Sequence, residues 1–479
     1  MLGKQDRWQE ELFVAGRLSD LIPDDHILKR VDRVLDLSWL RAEVRDLYDL
    51  DNGRPGIDPE AAVRLMLAGF FQGIVHDRKL MREAQVNLAM RWFVGFKVHE
   101  KLPDHSSLTR IRQRWGAERF KRIFQKTVQA CVKAGLVDAE TVHVDATLIR
   151  ADVSWESLTD RHVEKVIREN PGEPGPEPRP LDDGGDEKPK GKKVSRTDPD
   201  ATLTTSRNDY HLEPSFKQHT AVDDQAGVVV DVEVTTGEAN EGQGLMGQLE
   251  RVEAATGKKV ERVTGDAGYA HGTNYEALER RGTEAVIPPP KESRGRGHIP
   301  QRRFKYDGKH QGVRCPRGKV LKRSARTERG WIYRARRCDC QKCPLRERCF
   351  SAGAQVRTIL IVDGYEALLR ARRKRRAWNP QTERLYQRHR WRVEGIHGEA
   401  KTQHGLRRAV RRGLANVAIQ VYLTAAVMNL KRLAALWFVF LWQRFQREWR
   451  LRRFEGQTLF FIRPTNELHH ETRQVRLAA

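Results

Sequence analysis

The chain has 479 residues, of which 39% are hydrophobic and 32% are charged, and its formal net charge is +24 with an isoelectric point near 10.0. This length allows two to four domains and at least one large core. The positive charge predicts a polyanionic partner, most simply nucleic acid, and leaves an anionic membrane surface as the alternative.

Composition also argues against membrane insertion and secretion. No apolar run reaches the roughly 18 residues of a membrane span. The longest, Leu433–Trp442, lies between basic residues and predicts a buried helix. The first residues lack the apolar segment of a signal peptide, so we predict a cytoplasmic, nucleoid-associated protein. Six cysteines in such a protein do not suggest a disulfide framework, and Cys131, in an apolar helix, is predicted to lie in the core.

Residues 1–138 have the apolar spacing of several helices, as between Asp25 and Leu37 and from Pro59 to Phe71. Ser106 or Ser107 can cap a further helix. Several of these helices carry arginines. We therefore predict a helical N-terminal domain for DNA binding, with a helix-turn-helix, or for dimerisation, and the two roles can coexist.

At residue 139 the apolar period changes from helical to alternating. Val142, Val144 and Leu148 occupy one set of alternating positions, and Asp145 belongs to the other set. This pattern predicts a β-strand with Asp145 on its polar face. Because aspartate is depleted in strands, Asp145 needs a cation or a function.

The chain from 139 to 290 predicts a mixed α/β sheet, interrupted by a disordered insertion at 170–200 that is rich in proline, glycine and charge. The predicted elements after the insertion are a hairpin with its turn at Asp223–Gly227, a helix at 244–256, a strand ending at Asp266, a helix capped by Thr273 and Glu276, and a short strand before three prolines. Sites in open α/β sheets lie at the carboxyl ends of strands, which favours a common site for Asp145 and Asp266.

Residues 291–356 form an insertion with five cysteines. The spacing Cys-x-x-Cys at 340 and 343 is typical of metal sites, and four thiolates suggest a structural tetrahedral Zn²⁺ site. We favour Cys315, Cys340, Cys343 and Cys349 as its ligands, with Cys338 as a spare. The alternative is a set of free or redox-active thiols.

Residues 357–449 predict a helical second part of the core, followed by a basic tail at 450–479 that permits no interpretation. Wound as a helix, the stretch Tyr386–Arg408 places Arg390, Glu394, His397 and Lys401 on one face. A lone carboxylate among cations suits a metal ion beside a phosphodiester, although an ordinary solvated helix with an Arg–Glu pair is the alternative. The basic run formed by Arg372, Arg373, Lys374, Arg375 and Arg376 is either a solvated face or a contact with the phosphate backbone.

Together these motifs resemble the DDE transposases of bacterial insertion sequences, in the subgroup with a helical N-terminal domain and a cysteine-bearing insertion. HVDATLI resembles the first catalytic strand, VTGDAGYAHGTNYEAL the second aspartate block, and RHRWRVEGIHGEAK the glutamate block. Arg390, Glu394 and Lys401 keep the family's spacing. Tyr386 lies one residue further from Arg390 than in the family's Tyr-Arg-Glu-Lys signature.

The resemblance implies a ribonuclease-H-like catalytic core whose residues Asp145, Asp266 and Glu394 hold two Mg²⁺ or Mn²⁺ ions. Asp145 would bridge the ions, and Asp266 and Glu394 would each help to hold one. Arg390 and Lys401 would bind phosphates of the DNA.

The implied reaction cuts at terminal inverted repeats, frees 3′-hydroxyls and joins them to target DNA, with a homodimer in the DNA complex. Two alternatives remain open from the residues alone. One is a DNA-binding regulator with a decayed transposase fold, and the other is a repair nuclease that cuts without joining.

Overall fold

The structure, a computed structural model, describes residues 16–49, 56–153, 158–160, 193–204, 212–291, 298–351 and 353–454. Most of the predicted disordered insertion and nearly all of the basic tail therefore lie outside the described residues. The chain divides into two compact units, Met1–Ala434 and Ala435–Ala479, and the fold and site below belong to the first.

The first region is helical, as the apolar spacing predicts. Its helices are Ile27–Asp32 (α1), Leu40–Glu43 (α2), Pro59–Phe71 (α3), Asp77–Val86 (α4), Leu88–Val94 (α5) and His105–Lys133 (α6). Asp58 caps α3 by accepting hydrogen bonds from Glu60 N and Ala61 N. The cap of α6 is Asp104, which accepts from Ser106 N at 2.9 Å, so the prediction of a serine cap is wrong.

The region that follows the helices is built on a mixed sheet. Its strands are Thr141–Arg150 (β1), Leu158–Asp160 (β2), Lys193–Ser195 (β3), Thr202–Thr204 (β4), Glu213–Asp223 (β5), Val229–Thr236 (β6), Arg262–Thr264 (β7) and Glu284–Val286 (β8). The central order is β6-β5-β1-β7-β8. β5 runs antiparallel to both β1 and β6, whereas β7 is parallel to β1 and to β8. This mixed sheet with a helical N-terminal region confirms the predicted fold class.

Two helices connect the later strands of this sheet, Leu245–Thr256 (α7) and Gly272–Arg281 (α8). β1 pairs with β5 from Val142 opposite Asp223 to Arg150 opposite Ser215, so Asp145 stands opposite Thr220 near the middle of the sheet. The helix cap predicted at Thr273 is wrong, because α8 begins at Gly272 and its capping position is His271.

The cysteine-bearing region forms a second, antiparallel sheet that the sequence did not predict. Its elements are Lys305–Asp307 (β9), Gly312–Arg314 (β10), Val320–Thr327 (β11), Gly330–Arg334 (β12), Arg337–Gln341 (α9), Arg346–Cys349 (α10) and Thr358–Val362 (β13). The strand order is β13-β12-β11-β10-β9. Three helices follow, Tyr365–Arg376 (α11), Pro380–Gln403 (α12) and Leu414–Phe454 (α13).

Buried side chains from the helices and the central sheet form one continuous hydrophobic core, which includes the predicted core residue Cys131. A buried ion cluster crosses it. Arg112 on α6 binds both oxygens of Asp77 on α4 at 2.8 and 2.9 Å, and Arg411, between α12 and α13, reaches Asp77 Oδ2 at 2.6 Å. Within the described ranges, no helix combines the length and the apolar character needed to cross a membrane.

Candidate active site

Asp145 lies on β1, the central strand, as the alternating pattern predicts. Its side chain is largely buried, with 23% of its surface exposed. Burial raises the pKa of Asp145 to about 7, opposed by a hydrogen bond from Ala146 N and reinforced by the charges of Asp266, Glu241 and Glu394. These carboxylates therefore lie close to Asp145.

Asp266 follows β7, the parallel neighbour of β1. Because parallel strands end at the same edge of a sheet, Asp266 is brought beside Asp145. Its Oδ1 accepts a hydrogen bond from Gly268 N at 2.8 Å and so caps the 3₁₀ turn Ala267–Tyr269. The side chain is exposed at this edge, where a ligand can reach it.

Glu394 lies on α12, the helix that the sequence predicts around it. The Arg390 Nε atom donates a hydrogen bond to Glu394 Oε1 at 3.1 Å, one helical turn away. Glu394 is 61% exposed, and Arg390 is more exposed still. The pair fixes the carboxylate in position but leaves it accessible to a cation or to DNA.

The register of β1 and β7 places Asp266 level with Asp145, and the charges of Asp266 and of Glu394 on α12 both act on Asp145. Burial is the main cause of the raised pKa of Asp145, these like charges add to it, and a divalent cation would oppose both effects. Oxygen ligands of this kind suit Mg²⁺ or Mn²⁺. Among the residues that the structure describes, no three His, Cys, Asp or Glu side chains are grouped so that they could hold a metal ion.

Lys401 and His397 lie between α12 and the sheet. Lys401 Nζ donates to Thr147 Oγ1 at 2.7 Å, two residues beyond Asp145 on the same face of β1. Burial and the charge of Arg407 lower the pKa of Lys401, and Asp145 opposes this effect. His397 Nδ1 is 3.7 Å from Asp145 Oδ2, and its Nε2 is 3.1 Å from Thr220 Oγ1.

His397 carries no positive charge at neutral pH. Burial, followed by the charges of Lys401 and His389, lowers its pKa to about 3. His397 was predicted on the same helix face as Glu394. Its buried side chain packs against β1 and β5. Lys401, on the same helix, does interact electrostatically with Asp145.

A buried polar chain fastens α12 to the sheet. Thr264 Oγ1 lies 2.6 Å from His143 Nδ1 and 2.9 Å from His389 Nδ1, and His143 Nε2 lies 3.0 Å from Asp224 Oδ1. Arg388 binds Asp224 Oδ2 at 2.8 Å. The chain joins β1, β7 and the hairpin turn to α12, and so holds the helix that carries Glu394.

A second set of contacts holds the end of α12. Lys431 Nζ donates to Glu399 Oε1 at 2.6 Å, and His404 Nδ1 lies 2.7 Å from Phe70 O on α3. Burial alone raises the pKa of Glu399, but hydrogen bonds from His404 and Lys431, with the charge of Arg432, outweigh it and lower the pKa to about 2. α12 is thus anchored at both ends of its buried face.

Three residues at this site had no role in the sequence analysis. Glu241 begins the 3₁₀ turn after β6 and acts electrostatically on Asp145. Tyr269 is buried beside the same carboxylates. Trp391, next to Arg390, is 57% exposed, with the Arg392 guanidinium 4.7 Å from its ring centre. Only Trp391 had a signal in the sequence, a large aromatic residue on a helix that is otherwise polar at its surface.

The basic run lies in the second half of α11, and part of its charge is already paired. Lys374 Nζ binds Glu284 at 2.7 Å, and Arg375 binds Glu383 at 2.9 Å. Arg373 and Arg376 are exposed. The run therefore offers less free charge to DNA than its sequence suggests, and its role as a phosphate contact stays a prediction.

The four cysteines predicted to bind zinc gather around one cavity of about 40 Å³, whose lining includes Cys315, Cys340, Cys343 and Cys349. Cys338 is exposed and does not line it. Burial raises the pKa of Cys349, an effect that Arg357 opposes and the other three thiols reinforce. In the described residues these thiols do not form a complete metal site, so zinc stays a prediction.

The mixed sheet carries an acidic residue on its central strand, and a helix that packs against this sheet carries another, which is the arrangement that the resemblance to DDE transposases implies. Residues 16–114 match the family described as "Transposase domain (DUF772)", and residues 314–434 match the "Transposase DDE domain". These two matches confirm the resemblance to DDE transposases. The second includes Arg390, Glu394 and Lys401 but not Asp145 or Asp266.

Solved transposase structures give weaker similarities. The Mos1 transposase paired-end complex with left transposon end is 14% identical, over 52% of this chain and 65% of that one, with a TM-score of 0.16. The chain thus spans less than two thirds of that Mos1 chain. The piggyBac transposase synaptic complex with hairpin DNA is 10% identical, over 90% of this chain and 82% of that one, with a TM-score of 0.29. TM-scores this low carry no argument about function. No curated protein matches the chain.

Proposed function

We propose that this protein is the transposase of an insertion sequence, which cuts phosphodiesters at the transposon ends and joins the freed 3′-hydroxyls to target DNA. One observation carries the proposal. Asp145, Asp266 and Glu394 come from separate segments and lie close enough for their charges to raise the pKa of Asp145. The transposase family matches support the reaction class.

The proposed site holds two divalent cations. Two Mg²⁺ or Mn²⁺ ions about 3.5–4 Å apart would activate the attacking oxygen and stabilise the leaving oxygen. Asp145, on the central strand, would help to hold both ions, as the resemblance to DDE transposases implies. Asp266 and Glu394, at the edge and on the covering helix, would each hold one and set the position of the scissile phosphate.

DNA binding is proposed for the cations around this site. Arg390 is exposed beside Glu394, and Lys401 is held by Thr147, two residues beyond Asp145, so both suit phosphates flanking the cut. Exposed Trp391 offers a stacking surface for a base. The net charge of +24 supports a cytoplasmic, DNA-associated protein.

Two finer proposals accompany the reaction. Inverted repeats at both transposon ends require two active sites, which favours a homodimer in the DNA complex. Cys315, Cys340, Cys343 and Cys349 line one cavity, and a structural Zn²⁺ ion, which takes four thiolate ligands, is the proposed occupant.

The decisive experiment measures metal-dependent nicking and joining on DNA that carries the element's own ends. Asp145→Asn, Asp266→Asn and Glu394→Gln keep side-chain size and remove the charge, so each should abolish nicking but not DNA binding. Glu250→Gln, an exposed glutamate on α7, is the matched control and should nick like the wild type.

The same experiment separates the alternatives. A wild-type protein that binds these ends without nicking would indicate a DNA-binding regulator. Nicking without joining would indicate a repair nuclease. Near wild-type nicking by any of the three acidic variants would remove that residue from the site.

A further inference from the structure

Glu241 is an acidic residue whose position is fixed by its own turn. It begins the 3₁₀ turn Glu241–Gly244, which Asn240 caps by accepting a hydrogen bond from Gly242 N at 2.9 Å. The Glu241 side chain is 29% exposed, so a small ion can reach it.

Glu241 lies against the second predicted catalytic aspartate. Its Oε2 atom and the Oδ1 atom of Asp266 are each 2.9 Å from the point where a Cβ atom on Gly268 would lie. The two oxygens are therefore separated by no more than twice that distance. Any side chain at 268 would meet both carboxylates, so glycine is required for them to approach each other.

The approach of these two turns is built into the fold. The Asn274 side chain donates one hydrogen bond to Gly242 O at 2.8 Å and another to Tyr269 O at 3.0 Å. Asn274 is buried, and it joins the turn that begins at Glu241 to the turn that Asp266 caps. A buried carboxamide with both hydrogen bonds satisfied holds the two turns together.

Lys217 orients the Glu241 carboxylate. Its ammonium lies 3.3 Å from Glu241 Oε1 and donates to Ala239 O at 2.7 Å. One carboxylate oxygen is thus paired with a cation, while the other faces Gly268 and Asp266. Glu241 therefore has one carboxylate oxygen paired with Lys217 and the other available to a ligand.

The Tyr269 hydroxyl is a second, independent indication that a ligand binds here. The residue is 1% exposed, and its hydroxyl has no hydrogen-bond partner among the described residues. Burial raises the pKa of Tyr269 well above its usual value, and the charges of Asp145, Glu241 and Asp266 add to this effect. A buried hydroxyl without a partner is unfavourable, and a ligand among these carboxylates would give it one.

We infer that Glu241 is a fourth acidic residue of the divalent-cation site, with the Tyr269 hydroxyl as a hydrogen-bond donor to the oxygen atoms around the cation. The ligand class is Mg²⁺ or Mn²⁺, because all the available donors are oxygens. This inference rests on the proposed function for the identity of the site, but it is tested by cation binding itself.

The test measures Mn²⁺ binding to the full-length protein without DNA, by electron paramagnetic resonance of the free ion. Glu241→Gln should weaken the affinity by about 10- to 100-fold, the range found when partners of metal ligands are removed. Tyr269→Phe should cause a smaller loss in the same direction. Glu250→Gln should bind Mn²⁺ like the wild type.

Thermal unfolding without metal shows whether Glu241→Gln folds, because the change leaves Lys217 without its carboxylate. If it does not fold, Glu241→Asp is the second variant. It keeps the charge but moves the carboxylate back by one methylene group, and it should still weaken Mn²⁺ binding. Wild-type affinity in a folded Glu241→Gln or Glu241→Asp protein would overturn the inference.

Failure of the proposed function has a different signature. If Glu241→Gln loses Mn²⁺ affinity but the wild type never nicks DNA, the cation site stands and the nuclease does not. If the wild type nicks DNA and folded Glu241→Gln shows the same Mn²⁺ affinity and nicks at the same Mn²⁺ concentration, the nuclease stands and Glu241 lies outside its site.

Discussion

At Asp145, burial and the charges of other carboxylates act together on one side chain. Its pKa is raised to about 7 from an ordinary value near 3.8, so the folded protein holds this proton more tightly than the unfolded chain does. Stability from this group is therefore complete below about pH 4 and is lost as the pH rises through 7.

The direction of this pKa shift gives a stability prediction for the metal-free protein. Asp145→Asn cannot ionise, so its melting temperature should exceed that of the wild type at pH 8, and the gain should vanish near pH 4. Each unit of pKa difference corresponds to about 1.4 kcal/mol, so the gain at pH 8 is on the order of a few kcal/mol. Thermal unfolding across this pH range checks it, and a constant difference would contradict the assignment of charge repulsion to Asp145.

Lys401 gives a prediction about DNA. Its ammonium is already held by Thr147 beside Asp145, so a phosphate can bind it with little loss of side-chain freedom. We expect Lys401→Ala to weaken binding to cleaved transposon ends and to reduce the slope of log affinity against log salt by about one. Lys401→Arg keeps the charge and should keep the slope. An unchanged slope for Lys401→Ala, with lost Mn²⁺ binding instead, would place Lys401 with the metal rather than the DNA.

Single residues of the site differed in how far the sequence revealed them. Asp145 was found because a carboxylate interrupts an alternating strand, and Glu394 because four polar residues share a helical period. Glu241 was missed because it lies in a short turn without periodicity, and its neighbours Gly268 and Asn274 come from a later part of the chain. Contacts of that kind exist only in the fold.

At the scale of elements, α12 depends on the buried chain from Asp224 through His143 and Thr264 to His389. Burial, and then the charge of His143, lowers the pKa of His389 to about 4, so His389 is neutral at pH 7. The Thr264 hydroxyl can accept a hydrogen bond from one imidazole and donate one to the other. This one hydroxyl therefore provides a hydrogen-bond partner for the Nδ1 atom of each of the two buried imidazole rings.

Removing that hydroxyl should loosen α12. Thr264→Val leaves the Nδ1 atoms of both imidazoles without a partner, while His143 Nε2 keeps Asp224, and each unsatisfied buried group costs about 1–3 kcal/mol. We expect a loss of stability of at least this size, measured by denaturant unfolding, together with slower nicking. Thr264→Ser restores the hydroxyl and should recover most of both. Equal losses in the valine and serine variants would show that the methyl group, not the hydrogen bonds, is what matters here.

The second sheet provides the element-scale prediction for zinc. Cys343→Ser should lose one zinc per chain and destabilise this region, because structural zinc contributes folding free energy directly. Cys338→Ser, at the exposed cysteine, is the matched control and should keep the metal. Elemental analysis of the purified proteins measures the zinc. Wild-type protein without zinc and with freely titrating thiols would reject the site.

Helices and strands were predictable where their apolar spacing or turn residues lie within one continuous stretch of the sequence. The helical N-terminal region, β1, the β5–β6 hairpin and α12 follow from apolar spacing and turn residues. The second sheet was not predicted, because its strands from β9 to β12 are short and rich in charge, and the partner of β12 is β13, which begins at Thr358 beyond the predicted insertion. The Thr273 cap was mistaken because α8 begins one residue earlier, at Gly272.

At the scale of the whole molecule, the net charge of +24 does not translate directly into a binding surface. Arg370 on α11 binds Glu279, and Lys374 and Arg375 on the same helix bind Glu284 and Glu383. Basic runs in the sequence therefore overstate the charge available to DNA. The exposed arginines on α12 beside the acidic residues are better placed than the longest basic run.

The buried cluster of Asp77, Arg112 and Arg411 has a consequence for where DNA is cut. It joins α4 and α6 to the segment that follows α12, and removing one member of a buried ion pair typically costs about 3–5 kcal/mol. The helical region thus cannot swing on a tether relative to Glu394. Under the proposed function, DNA bound by the helices would be held at a set distance from the acidic residues, and that distance would determine where the nick is made. When a few base pairs are inserted between the recognised sequence and the transposon terminus, we expect the nick, mapped on a sequencing gel, to stay at its distance from the recognised sequence; a nick that follows the terminus would show that the end itself is recognised.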